Sequence, residues 1–338
     1  MSHPYAVREI VSRYPHLAPD DITERLRHST FVHVRKRYLY FEVPKAACTQ
    51  MKELLRLLEA APPIQPFVGK LRETRRDMFV HARENVPLPS LVDLDDATQK
   101  DVLESPDFFR FTIVRNPYTR LVSAWKNKVV PCEPGCDRLY VEIKGRLPDM
   151  HAKELISFGE FVSYLQAKGD FNAFDPHWRR QVDHLFLEAL NFSHVGKVEQ
   201  MAASLACFQQ HLGLAEPLLG GKKNVSAPVG LATYDQTLAD KVYSLYQEDF
   251  ARLGYDPNSW RAGESAVPAP PRAVVSEERF YDEIIERNLI ISGLYAERER
   301  LRADLHRVSR LHVLPLANAL ARFRRKLRAV ASKLPGRR

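Results

Sequence analysis

Lysine, small residues and a threonine share one interval, Lys45-Ala46-Ala47-Cys48-Thr49. Small side chains let backbone N–H groups approach a ligand, Lys45 adds a full positive charge, and Thr49 adds a hydroxyl. If the interval leads into a helix, the helix N-terminus adds unpaired donors and the positive end of a dipole, which together suit an anion. It lacks the glycines of G-x-x-x-x-G-K-[ST]. A second set follows in Phe108 to Lys128, where Arg115 precedes Asn116-Pro117 and Ser123 lies eight residues on. A guanidinium and a hydroxyl so placed can hold a second phosphate through charge-assisted hydrogen bonds.

The elements that must position these groups are legible around them. Tyr38 to Val43 is a β-branched and aromatic run that Pro44 ends, and the apolar residues Met51, Leu54, Leu55 and Leu58 mark a helix over 50–59. Phe108 to Val114 is a second buried strand, with a helix expected over 120–130. Further helices are expected over 22–28 (capped by Asp20-Asp21), 95–104, 158–168 and 239–253, and a strand over 191–198. The alternation from 31 to 260 predicts an α/β fold, a central parallel sheet flanked by helices. Ligands of such sheets sit at the C-terminal strand ends, where Lys45 and Arg115 both fall.

A Pro-rich segment, 266–272, reads as a linker, giving a catalytic domain over 1–262, a linker over 263–275 and a helical, basic extension over 276–338. Phe280, Ile284, Ile291, Leu294, Leu301, Leu305 and Val308 keep a heptad-like spacing that Arg287 and Arg298 interrupt, which predicts self-association through this helix. The 338 residues carry a net charge of +8, and the stretch from Leu311 onward holds eight bases and no acid, so the rest is formally neutral. A basic amphipathic end of this kind suits an anionic membrane surface better than nucleic acid. No apolar run is long enough to span a bilayer, and the first residues lack a signal-peptide core. The expectation is a soluble, cytoplasmic protein, with peripheral contact at the inner membrane face. Four cysteines make no disulfide framework, and Cys132 and Cys136 find no partner set for zinc, so no metal is expected.

The two phosphate motifs together resemble the PAPS-dependent carbohydrate sulfotransferases of the chondroitin and HNK-1 type, where PAPS is 3′-phosphoadenosine 5′-phosphosulfate. V-P-K-A-A-C-T (43–49) looks like that family's 5′-phosphosulfate loop, and V-R-N-P-Y-T-R-L-V-S-A-W-K-N-K (114–128) like its 3′-phosphate motif. The segment around His81, D-P-H-W (175–178), F-S-H-V-G-K-V-E-Q-M (192–201), K-K-N-V-S (222–226) and Y-Q-E-D-F-A-R-L-G-Y (246–255) keep the family's order. The resemblance covers about residues 38–258. Unlike the family's Golgi members, the chain shows no membrane anchor and no cysteines over 181–190, which fits a reducing bacterial cytosol.

The resemblance implies transfer of a sulfuryl group from PAPS to a carbohydrate hydroxyl, with no metal. Lys45, Ala46, Ala47, Cys48 and Thr49 would hold the 5′-phosphosulfate, and Arg115 and Ser123 the 3′-phosphate. Lys197 and residues 222–226 would add cofactor or acceptor contacts. The acceptor would be a glycan, with basic residues over 70–83 and Arg179-Arg180 lining its groove. His81 is one choice of general base, at a position where the related hexuronosyl 2-O-sulfotransferases carry a histidine treated as the base. His177 is the other; beside Trp178 it can instead orient the sugar ring. Two other classes suit the same residues: a P-loop kinase using ATP, against which the missing glycines weigh, and a non-catalytic protein whose basic tail docks on a membrane or an anionic polymer.

Overall fold

The run Tyr38–Phe41 is buried on both faces. The computed structural model describes residues 3–61, 83–148, 155–171, 174–215, 218, 233–263 and 274–310. Helices α1 (Tyr5–Arg13) and α2 (Pro19–Ser29) lead into strand β1 (Thr30–His33), and β2 (Tyr38–Phe41) follows after a tight turn. Helix α3 (Cys48–Leu58), helix α4 (Asp96–Glu104), strand β3 (Phe109–Val114) and helix α5 (Pro117–Ala124) come next. Then come α6 (Asp137–Lys144), α7 (Phe158–Lys168), α8 (Gln181–His184) and β4 (His194–Lys197). The chain continues with α9 (Met201–His211), α10 (Gln236–Leu253) and α11 (Val274–Arg310).

The sheet order is β1-β2-β3-β4. The pairs β2–β3 and β3–β4 are parallel, as the alternation predicts, in the registers Phe41↔Thr112 and Val114↔Lys197. The edge strand β1 pairs antiparallel with β2, because only the turn over 34–37 joins them, with Arg37 at φ 50°. Alternate residues of β2 feed two cores. Leu39 and Phe41 pack with residues of α1 and α2, including Ile10 and Leu26. Tyr38 and Tyr40 pack on the other face with Met51, Leu55, Phe111 and Phe208. Each fully buried side chain of this size contributes ~1.5–3 kcal/mol. Gly196 belongs to the same economy of space: a Cβ there would lie 2.6 Å from the Ser204 Cβ, so only glycine lets α9 seat on β4.

Several boundaries differ from expectation, each for a capping reason. Helix α2 starts at Pro19 and has no side-chain cap; Asp20 and Asp21 sit in its first turn, where they meet the dipole instead. The helix expected over 120–130 starts at Pro117, because the Asn116 side chain accepts from the Tyr118 N–H (3.0 Å). It gives way after Ala124 to a π turn over Trp125–Val129. Helix α10 starts at Gln236, since Asp235 accepts from the Leu238 N–H. Helix α7 has the predicted bounds and a full capping box from Ser157 and Glu160.

The chain divides into two compact units. Met1–Asn127 with Ile156–Pro270 holds the sheet, the loop at Lys45 and the second motif through Asn127. Lys128–Leu155 with Pro271–Arg338 holds α6 and α11. In this second unit the buried Asn288 donates to the Pro131 carbonyl (2.7 Å), and Cys132 and Cys136 are buried and not joined in a disulfide. Helix α11 is continuous from 274 to 310, and Leu294, Leu301 and Leu305 are exposed along it. Among the described residues no helix is long and apolar enough to cross a membrane, and no group of three or more side chains is arranged to hold a metal. The linker over 266–272 and the basic residues from 311 onward lie outside the described residues.

Candidate functional site

Because β2 and β3 are parallel neighbours, their C-terminal ends deliver both phosphate motifs to the same edge. After Val43 the chain turns through Lys45 at φ 67° and Ala47 at φ 58°, both in the left-handed region. Each such residue with a Cβ costs about 1–2 kcal/mol relative to a right-handed one. The loop thus takes up without glycine the backbone for which glycine is the usual residue, and strain of this kind concentrates at functional sites. Ala47 is the N-cap of α3 and provides no side-chain cap, so the cap residue's side chain takes up none of the first N–H groups of α3. Ala46 is wholly buried, while Lys45, Ala47, Cys48 and Thr49 are half-buried. Desolvation pushes the Cys48 thiol up to about 11, with Glu42 adding to it, so its sulfur is protonated at neutral pH and its N–H is the useful group. Beneath the loop Lys52 and Glu42 form a buried ion pair at 2.7 Å, joining the first turns of α3 to the end of β2.

Arg115 reaches back to this loop. Its Nη1 donates to the Lys45 carbonyl (3.3 Å) and its Nε to Thr119 Oγ1 (3.0 Å). Burial lowers its pKa, and Glu199 opposes the shift; from an ordinary value of 12.5 the guanidinium remains charged at neutral pH. Thr119 and Ser123 are four residues apart on α5, so they share a helical face with Arg115 at its head. Asn127 closes this polar ridge, its amide donating to the Ser123 carbonyl (2.9 Å) and to Ser123 Oγ (3.4 Å). The structure therefore joins Lys45 and Arg115 directly and places Ser123 along the same ridge. Lys197 pairs with Val114 at the next strand end, but its Nζ donates to the Gly254 carbonyl (2.7 Å) and lies over the Tyr255 ring (4.3 Å). Those contacts close the end of α10.

The segment 175–180 forms another wall. His177 Nδ1 lies 2.6 Å from Asp175 Oδ1, and the ring is about a quarter exposed. A neutral ring that donates its Nδ1 proton to the carboxylate carries its lone pair on Nε2, the arrangement of an oriented base. Trp178 is buried, edge-on to Phe161 at 5.4 Å, so it is a core residue and leaves any sugar stacking to other rings. Beside this wall lies a cleft of about 590 Å³, lined by residues that include Asp21, Arg25, His28, Pro176, Arg179 and His184. That volume is within the ~300–1,000 Å³ of small-ligand sites. Of the expected acceptor cations, Arg179 lines the cleft and Arg180 pairs with Asp183 (2.7 Å). Arg83 instead spends its guanidinium on the Leu88, Val86 and Thr30 carbonyls. His81, the rest of 70–82 and residues 222–226 lie outside the described residues.

Sequence reasoning missed Arg120. It is 2% exposed and donates to three carbonyls, those of Pro44 (3.0 Å), Arg179 (2.8 Å) and Pro176 (2.8 Å). It therefore ties the start of the phosphate loop to the wall that carries His177. A charge between Leu121 and the buried Tyr118 on a largely apolar helix was the signal available. Thr119, Gln181 and Asp249 were missed too; Asp249 sits seven residues after Val242 on the buried stripe of α10, where an acid is out of place.

A model of the sulfotransferase family matches residues 28–256, more than half of the chain. Among curated proteins, carbohydrate sulfotransferase 10 of Pongo abelii is 25% identical over 281 residues, covering 70% of this chain and 72% of that protein. The Danio rerio carbohydrate sulfotransferase 10 is 26% identical over 242 residues, 66% of this chain and 62% of its own length. Carbohydrate sulfotransferase 14 of Danio rerio is 25% identical over 253 residues, 71% and 65%. No solved structure gives a significant match. The match spans both phosphate motifs, the strands that carry them and the ties between them, and the chain belongs to the sulfotransferase family.

Proposed function

We propose that the protein transfers a sulfuryl group from PAPS to a hydroxyl of a carbohydrate acceptor. The observation that carries this is the bond from Arg115 to the Lys45 carbonyl, which puts two anion-holding motifs side by side on adjacent parallel strands. A nucleotide with phosphates at both its 5′ and 3′ positions needs two such sites. The carbohydrate acceptor follows from the relatives, which are carbohydrate sulfotransferases.

PAPS supplies the sulfuryl group; the protein's residues position the acceptor and balance charge, as in other in-line displacements of this type. Lys45 and the N–H groups at the start of α3 stabilise negative charge at the 5′-phosphosulfate. Arg115 with Ser123 holds the 3′-phosphate, and Thr119 fixes the direction of the guanidinium. The acceptor enters from the cleft beside Pro176 and Arg179. Its hydroxyl proton goes to a histidine: His81 by resemblance, or His177, which Asp175 orients.

Calorimetric titration of the full chain with adenosine 3′,5′-bisphosphate and with ATP tests the cofactor. The bisphosphate binds and ATP binds at least tenfold more weakly, a gap of about 1.4 kcal/mol. Equal or tighter binding of ATP would replace this reading with a kinase.

A further inference from the structure

Strand β3 makes its last ladder pair at Val114, opposite Lys197, so Arg115 has left the sheet. Its backbone is nevertheless held on both sides by one side chain. Gln181 Oε1 accepts from the Arg115 N–H (2.9 Å), and Gln181 Nε2 donates to the Arg115 carbonyl (2.8 Å). This is the double bond pattern that a neighbouring strand gives to one residue, supplied here by an amide from α8.

The amide is oriented in turn by Asp249, on α10. Asp249 Oδ2 accepts from the second Nε2 hydrogen of Gln181 (3.3 Å) and from the Gln181 backbone N–H (2.9 Å), and Oδ1 accepts from the Val182 N–H (3.0 Å). The carboxylate is wholly buried; burial raises its pKa, and the Gln181 and Val182 N–H groups, with Arg120, pull the other way and favour the charged form. An amide can present its two ends in either order, but an ionised carboxylate only accepts. Asp249 therefore fixes the Nε2 end of Gln181 toward itself, which leaves Oε1 for the Arg115 N–H. The geometry points to Asp249 as a positioning residue for the 3′-phosphate, acting through Gln181 on Arg115. The inference rests on the reading of Arg115 as the 3′-phosphate ligand.

A carboxylate that merely capped α8 would affect folding and weaken every nucleotide alike. A positioning role affects the discrimination for the 3′-phosphate. The test is calorimetry on the full chain with adenosine 3′,5′-bisphosphate and adenosine 5′-monophosphate, in wild type, Asp249→Asn, Gln181→Met and Arg115→Ala. The preference for the bisphosphate should fall about tenfold in Asp249→Asn and in Gln181→Met, a coupling of ordinary size for contacting groups. The monophosphate affinity should hold. Adding Asp249→Asn to Arg115→Ala should change the preference no further. If Arg115→Ala keeps the preference, the assignment of Arg115 itself fails. If Arg115→Ala loses it while Asp249→Asn and Gln181→Met keep it, or weaken both nucleotides equally, the positioning role is overturned. Should Asp249→Asn fail to fold, Gln181→Met, which leaves the carboxylate in place, decides the matter alone.

Discussion

Arg120→Met removes one guanidinium and keeps a side chain of similar length and an apolar stem. Three carbonyls lose their charged donor: Pro44, Pro176 and Arg179, at 2.8–3.0 Å. Hydrogen bonds from a charged donor contribute roughly 1.5–3 kcal/mol each, so the gross loss is about 5–9 kcal/mol. Against it stands the cost of keeping a cation in a fully buried position, several kcal/mol, which the methionine does not bear. The net destabilisation is then about 3 kcal/mol. In a domain of roughly 150–250 residues each kcal/mol moves Tm by about 2–4 °C, so calorimetry should show a fall of about 6–12 °C. Freed from its tie, the Pro44 end of the loop should also hold adenosine 3′,5′-bisphosphate about tenfold more weakly, equivalent to about 1.4 kcal/mol. Arg120→Lys, which keeps the charge but cannot reach three carbonyls, should fall between. A Tm within about 2 °C of wild type together with unchanged affinity would show that the loop needs no such tie, and would refute the reasoning.

The proton acceptor is tested by the pH dependence of turnover. His81→Ala should lower turnover by about 10²–10⁴ and abolish the acidic limb with nucleotide affinity intact; if that limb survives there and vanishes in His177→Ala, the roles are reversed. His184 governs stability instead. Burial, with Arg25, Arg179 and Arg120 adding to it, holds its folded pKa well below 6.5, while its Nε2 faces the Glu42 carbonyl. The unfolded chain takes up this proton near pH 6.5 and the folded one does not, so stability is full above that pH and is lost as pH falls toward the folded pKa. Thermal melts between pH 7 and 5 should therefore fall with a slope of up to about 1.4 kcal/mol per pH unit from this group, and His184→Gln should flatten them; equal slopes would mean that the ring is protonated in the fold.

Much of the architecture was legible because local patterns carried it. The run Tyr38 to Phe41 and the stripe Met51, Leu54, Leu55 announce a strand and a helix, and Lys45 and Arg115 fall at strand ends by spacing alone. Helix starts were less legible, because Asn116-Pro117 and Asp235 act through caps that precede the apolar periodicity. The left-handed backbone at Lys45 and Ala47 was not legible at all, since neither residue favours it and only the surrounding packing imposes it. The inner ties of the site were hidden for a related reason. Arg120, Gln181 and Asp249 lie 61 to 129 residues apart in pairs that only the fold brings together, and their partners are backbone groups that leave no motif.

The central claim is that the loop at Lys45 carries out sulfuryl transfer. Incubation of the protein with PAPS radiolabelled in the sulfuryl group and a library of glycans tests it most directly, with Lys45→Ala alongside. The account predicts label on a glycan with the native chain, and turnover lower by about 10²–10³ in the mutant, as when one preorganised donor to the developing charge is lost. Label that stays on PAPS with every glycan, or transfer that Lys45→Ala leaves near normal, would contradict it.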